Sequence, residues 1–117
     1  MVFYNCVGKP IAYCDDGEEI YLFSGKPVAY FYKDLIYGYN GNEFGWLENG
    51  WVMDMHGKCV FFTEKAMGGP VTPVCSVVPV KCVQRVTPVK AVRKVERVKP
   101  VSQYAWSNLS SEAFFMQ

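Results

Sequence analysis

Apolar residues in the first part of the chain come in short bursts, each broken by a polar turn that carries glycine. Aligning Gly8, Gly25, Gly41 and Gly57, spaced 17, 16 and 16 apart, brings the bursts into register. Before the glycines stand Phe3-Tyr4, Ile20-Tyr21, Ile36-Tyr37 and Val52-Met53. After them come Lys9-Pro10-Ile11-Ala12-Tyr13, Lys26-Pro27-Val28-Ala29-Tyr30, Asn42-Glu43-Phe44-Gly45-Trp46 and Lys58-Cys59-Val60-Phe61-Phe62. Each unit is an apolar pair, a turn, then apolar–small–aromatic. The flanks are rich in the β-branched and aromatic residues that suit a pleated, half-buried surface. Ser24-Gly25, Asn40-Gly41 and His56-Gly57 are turns in which glycine supplies the positive φ. Asp16-Gly17, Lys33-Asp34 and Asn49-Gly50 separate one unit from the next. The pattern predicts four β-hairpin repeats over residues 1–67. Eight short antiparallel strands are expected near 2–6, 9–14, 19–23, 27–32, 35–39, 43–48, 51–55 and 58–63. Units of about 16 residues bury no face alone and must pack on one another or on a partner.

Gly68-Gly69-Pro70 closes this module, and the pattern changes. Valine recurs at every third position from 71 to 101, and Pro73, Pro79, Pro88 and Pro100 each precede one of those valines. In an α-helix such a stripe drifts about 60° per repeat, and the prolines break the helix. In a strand, period three throws successive valines onto opposite faces. A polyproline II helix, with three residues per turn, puts every valine on one edge. Residues 68–101 are therefore expected as a glycine/proline break followed by an extended, polyproline-II-like segment; a short-sided β-solenoid or a series of bends is the alternative. At ~3.1 Å per residue, 31 residues reach ~96 Å, far beyond the ~35 Å breadth of a 117-residue domain. The segment must bend, wrap the module, or lie along neighbouring subunits. A valine edge of that length calls for an apolar groove, which favours a homo-oligomer with these segments packed at its centre. Val80, Val83, Val86, Val89 and Val92 are the assembly candidates. Residues 102–117 form a terminal aromatic anchor, with a helical turn capped by Ser110 and with Glu112 near its positive end. The fold class is mainly β.

Charge sharpens this division. Residues 1–70 hold five lysines and nine acids, whereas 71–101 hold seven cations and only Glu96. An acidic module with a basic tail can bind itself, within a chain or between chains. No aromatic residue lies between 71 and 101 for base stacking, which argues against nucleic acid.

Candidate chemistry is sparse. The five cysteines (Cys6, Cys14, Cys59, Cys75 and Cys82) include no Cys-x-x-Cys pair, and His56 is the single histidine. Neither a metal centre nor a disulfide framework is expected. Cys59 and His56 are the only catalytic pair conceivable by spacing, and no third orienting group accompanies them. Asp15, Asp16, Glu18 and Glu19 lack the spacing of a calcium loop and read as a solvated turn. The expectation is a non-enzyme with no cofactor. Aromatic residues at fixed repeat positions carry two readings: core packing, or a row of rings for stacking on sugars. For the second, Tyr13, Tyr30, Trp46 and Trp51 are the candidates, and a glycan is the alternative partner to an unidentified protein. No apolar run approaches the ~20 residues of a membrane span. The first residues lack a basic region and apolar stretch of a secretion signal, so a cytoplasmic location is expected.

The run from Ile20 to Tyr30, with Gly45-Trp46, Phe62-Thr63-Glu64, Gly68-Gly69-Pro70, the triplet segment, Trp106-Ser107 and Phe114-Phe115, resembles the bacterial four-fold β-flower family over nearly the whole chain. The resemblance implies a β assembly of four-fold character, through four repeats or four subunits, with a tetramer preferred. It implies no activity and no catalytic residues.

Overall fold

The computed structural model describes residues 1–117. The strands are β1 (Val2–Tyr4), β2 (Pro10–Tyr13), β3 (Glu19–Leu22), β4 (Pro27–Tyr32), β5 (Leu35–Tyr37), β6 (Glu43–Glu48), β7 (Trp51–Met53) and β8 (Cys59–Phe62). Each pairs antiparallel with the next, and β8 returns to β1, so the sheet closes into a barrel. Closure removes the sheet edges that four isolated hairpins would expose.

Each hairpin turns in the same way. The N–H groups of Gly8, Gly25, Gly41 and Gly57 donate to the carbonyls of Asn5, Leu22, Gly38 and Asp54 at 2.9–3.1 Å. All four glycines have φ between 81° and 92°. The ladder shifts register at the same place in each unit, between Phe3/Tyr4, Ile20/Tyr21, Ile36/Tyr37 and Val52/Met53. The extra residue is Ile11, Val28, Phe44 and Val60 in turn, three residues past each turn glycine, and such a bulge strengthens the local strand twist.

Alternation along the strands divides the side chains into two layers. Phe3, Ala12, Ile20, Ala29, Ile36, Val52 and Phe61 form the inner core. The small residues of the first three units, Ala12, Ala29 and Gly45, fall inside, where a narrow barrel has least room, and Phe61 takes that position in the fourth. The short helix α1 (Ser111–Phe115) plugs the hairpin-tip end and drives Phe114, 0% exposed, against Phe44 and Phe61. Its first turn is capped as expected: Ala113 N–H donates to the Ser110 hydroxyl at 3.1 Å. The outward layer is aromatic, with stacked pairs Tyr13–Tyr21, Tyr30–Tyr37 and Tyr4–Phe62 at 5.3–6.1 Å between centroids.

Residues 71–101 form no helix or strand and make no backbone hydrogen bonds among themselves. They run as a belt around the barrel, past each hairpin in turn. Ser76, Arg85, Lys94 and Gln103 donate their N–H groups to the carbonyls of Gly8, Gly25, Gly41 and Gly57 at 2.8–3.0 Å. The donors are nine residues apart, so three triplets span one hairpin unit. Four such arcs at ~3.1 Å per residue make a perimeter of ~112 Å, that of a circle ~36 Å across. The molecule measures 37 × 37 × 22 Å. The length that pointed to neighbouring subunits is thus taken up by the circumference of the chain's own module. No helix is long and apolar enough to cross a membrane.

Candidate functional site

The three-residue repeat gives the belt three edges, each with its own neighbours. The edge after each valine points along the barrel toward its acidic turns. Lys81, Lys90 and Lys99, again nine apart, lie over the rings of Tyr13, Tyr30 and Trp46 at 4.6, 4.4 and 5.3 Å. Their ammonium groups then reach Asp15 at 3.0 Å, Glu18 and Glu19 at 2.9 and 3.1 Å, and Glu48 at 2.7 Å. Hydrogen bonds from Lys99, Ser102 and Tyr104 hold the Glu48 carboxyl below its ordinary range. Bonds to Glu18 and Glu19 raise Lys90. The acidic turn therefore serves as an anchor for the belt, and the opposite charges of the two halves meet within one chain.

The second edge faces the hairpin tips. It carries the donors to the turn glycines, Lys94 among them, together with Pro79 and Arg97. Cys82 and Ala91 donate additionally to Phe23 and Tyr39 at 2.9 Å. At the equivalent places nine residues before Cys82 and after Ala91 stand Pro73 and Pro100, which have no N–H to give.

The third edge is the valine edge, and it faces away from the barrel. All eleven valines from Val71 to Val101 in the triplet phase are 86–95% exposed, including the assembly candidates Val80, Val83, Val86, Val89 and Val92. The apolar groove expected for them is not supplied by their own chain. The other two edges hold the belt, through backbone donors and lysines, and leave valine outermost.

The candidate stacking residues lie on the outward face of the barrel and are covered there by the C-terminal part of the chain. Tyr13, Tyr30, Trp46 and Trp51 are 1–2% exposed. The first three are capped by belt lysines, and they offer no open ring face to a sugar. Trp51 packs edge-on against Trp106 at 5.5 Å and donates to the Met67 carbonyl at 3.1 Å, so it pins the start of the belt to the barrel. His56 is exposed at its turn, and Cys59 is fully buried. Burial, with Asp54 nearby, pushes the Cys59 thiol up to about 11, the opposite of what a nucleophile needs. Cys14 is likewise pushed up to about 11 by burial.

Clefts open between the hairpin tips around the helical plug. One of about 580 Å³ lies between the first and second hairpins, lined by Pro10, Ile11, Leu22, Pro79 and Phe115. Another of about 610 Å³ lies between the third and fourth, lined by Glu43, Asp54, Lys58, Lys94 and Arg97. Sequence inspection singled out none of these five residues as a group, because their proximity depends on which belt arc faces which hairpin. The nine-residue recurrence of Lys81, Lys90 and Lys99 was the available signal for that register.

Four hairpin units closed into one barrel and girdled by the chain's own C-terminal segment define a β protein with internal four-fold symmetry. The chain belongs to the 4-fold beta flower protein family, whose model matches residues 1–115. No curated protein and no solved structure matches it.

Proposed function

We propose that this is a non-catalytic structural and interaction protein that assembles with copies of itself through the valine edge, as a square tetramer. The observation that carries the reading is the exposure of eleven in-phase valines. At roughly 60–100 Å² of apolar surface per side chain, each arc of three valines presents about 180–300 Å² in one direction, and the eleven together make a band around the molecule. Successive valines are ~9.3 Å apart if the belt has polyproline II rise. Same-face residues recur every ~6.7 Å on a strand and each helical turn rises ~5.4 Å, so a second belt is the partner that matches in period.

Charge favours one sense of pairing. Lys9, Lys26, Lys58, Arg85, Lys94 and Arg97 outnumber Glu43, Asp54 and Glu112 at the hairpin-tip end; at the other end Asp15, Glu18, Glu19 and Glu48 are paired with Lys81, Lys90 and Lys99, and Asp16, Asp34 and Glu64 stand without an ion pair beside Lys33 and Lys65. A neighbour turned upside down brings valine to valine and the basic margin of one rim beside the acidic margin of the next. Belt arcs are a quarter-turn apart, so two adjacent arcs engaged in this way close a ring of four with two-fold contacts.

Light scattering tests it. The full chain is expected at four times its 13.3 kDa mass. Of the three arcs that carry three valines each, any adjacent pair includes the one between Arg85 and Lys94, so V86Q/V89Q/V92Q is expected to fall to no more than twice the chain mass. Its thermal unfolding should match the parent's, because those side chains are 92–95% exposed. A monomeric full chain at high concentration, or a tetramer indifferent to the triple substitution, overturns the reading.

A further inference from the structure

The two clefts of similar volume occupy equivalent places in a four-fold scaffold, and their linings differ in a coordinated way. Where the cleft between the first and second hairpins has Pro10, Leu22 and Pro79, the cleft between the third and fourth has Glu43, Asp54 and Arg97. The positions correspond: Pro10 and Glu43 each stand two residues after a turn glycine, Leu22 and Asp54 three before one, and Pro79 and Arg97 eighteen apart on the belt. Three apolar residues in one quarter are thus three ionisable residues in another. The substitutions also fit each other. Arg97, unlike Pro79 and Pro88, has a backbone N–H, and it donates to Glu43 Oε2 at 3.2 Å.

Both carboxylates are buried, Glu43 at 7% and Asp54 at 4% exposure. Asp54 is fully engaged: Oδ1 accepts from the N–H groups of His56 and Lys58 at 2.8 and 3.0 Å, and Oδ2 accepts from the Ser107 hydroxyl. Glu43 has only the Arg97 N–H on Oε2, so Oε1 has no hydrogen bond within the chain. Around the same cleft Lys58, Lys94 and Arg97 form no ion pair, whereas Lys81, Lys90 and Lys99 all do. Lys94 adds a charge where the first hairpin's equivalent is Ser76. Lys94 and Arg97 are exposed and Lys58 is half-buried, so all three cations can be reached from the cleft, on whose wall Glu43 keeps one carboxylate oxygen without a hydrogen bond inside the chain.

We infer that the cleft between the third and fourth hairpins is a binding site for a small molecule carrying an oxyanion and a hydrogen-bond donor. The oxyanion sits among Lys58, Lys94 and the Arg97 guanidinium, whose planar fork suits carboxylate and phosphate alike. The donor, an ammonium or hydroxyl, meets Glu43 Oε1. The site uses none of the valine edge, but it shares Lys58, Lys94 and Arg97 with the basic margin of the assembly reading; its test reads ligand binding and not mass, so the two can fail separately.

Titration of the ¹⁵N-labelled full chain with inorganic phosphate and, separately, with sodium glutamate tests it. Saturable shifts are expected at the amides of Glu43, Lys58, Lys94 and Arg97, with the amides of Lys9 and Lys26 unmoved. Saturation by glutamate alone assigns the oxyanion to a carboxylate with its ammonium on Glu43; saturation by phosphate alone assigns it to a phosphate. K94S/R97Q gives the first substitution the residue of the equivalent Ser76 and keeps the backbone donor at 97, so it should fold. It is expected to weaken binding about ten- to a hundred-fold, the worth of one or two charge-assisted hydrogen bonds. Shifts spread equally over Lys9 and Lys26, no saturation at millimolar concentration with either probe, or unchanged affinity in the variant overturns the inference.

Discussion

Replacing Gly25 with alanine tests whether the belt is held at the hairpin tips. Gly25 has φ +92°, and a Cβ there would strike the Val83 carbonyl. Two costs add. Alanine in the left-handed region loses about 1–2 kcal/mol. Displacing the belt breaks the 2.9 Å bond from Arg85 N–H to the Gly25 carbonyl, worth about 0.5–1.5 kcal/mol, and loosens its neighbour from Cys82 to Phe23. Gly17 supplies the control, since it has φ +77° and nothing within 4 Å of a Cβ. Gly17→Ala should therefore show only the first cost. In urea, with a slope of ~1–3 kcal/mol/M, Gly25→Ala should unfold at a midpoint about 0.5–1 M below Gly17→Ala. Hydrogen exchange at the Cys82 and Arg85 amides should accelerate in Gly25→Ala alone. Equal midpoints for the two variants, with both amides exchanging as in the parent, would refute a belt fastened at these turns.

Acid should loosen the same belt from its other margin. The Glu48 carboxyl lies below its usual 4.5 through bonds from Lys99 and Ser102, so its contribution is complete above that pH and is lost as pH falls through the lowered value. The urea midpoint should drop between pH 6 and 3, and Glu48→Gln should lower it at pH 6 and flatten the drop; a drop of unchanged size would remove Glu48 as the cause. Lys90, raised above 10.5 by Glu18 and Glu19, adds stability present below that pH and lost as pH rises past the raised value. Thiol chemistry should sort the cysteines: Cys6, Cys75 and Cys82 are exposed and should label in the folded chain, whereas Cys14 and Cys59 are buried and should label only on unfolding. Prompt labelling of all five would contradict the barrel packing.

The hairpins were legible because each of their determinants is local. A turn glycine, an apolar pair before it and an apolar–small–aromatic run after it fix two strands, and all eight strands fall within the residues expected for them. Closure was not legible, since the bond between β8 and β1 joins residues as distant as Phe62 and Tyr4. The period-three stripe identified one shared edge, but not which way it faced. Valine's apolarity suggested burial, and the structure turns that edge outward because the lysines between the valines find acids and aromatic rings below them. For Tyr13, Tyr30, Trp46 and Trp51 the packing reading agrees with their burial. Glu43, Asp54 and Arg97 look ordinary one at a time, and they become notable only when each is set beside its symmetry equivalent.

The belt also constrains how the architecture can change. In an open repeat array a unit can be gained or lost as one contiguous segment, because each contacts only its neighbours. Here the number four is written twice, once in the hairpins and again, in nine-residue measure, in a separate stretch of chain. Deleting one hairpin would leave a belt arc with no tip to fasten to; duplicating one would leave a tip with no arc. The count of units is locked by the need for two distant insertions of different length to arrive together.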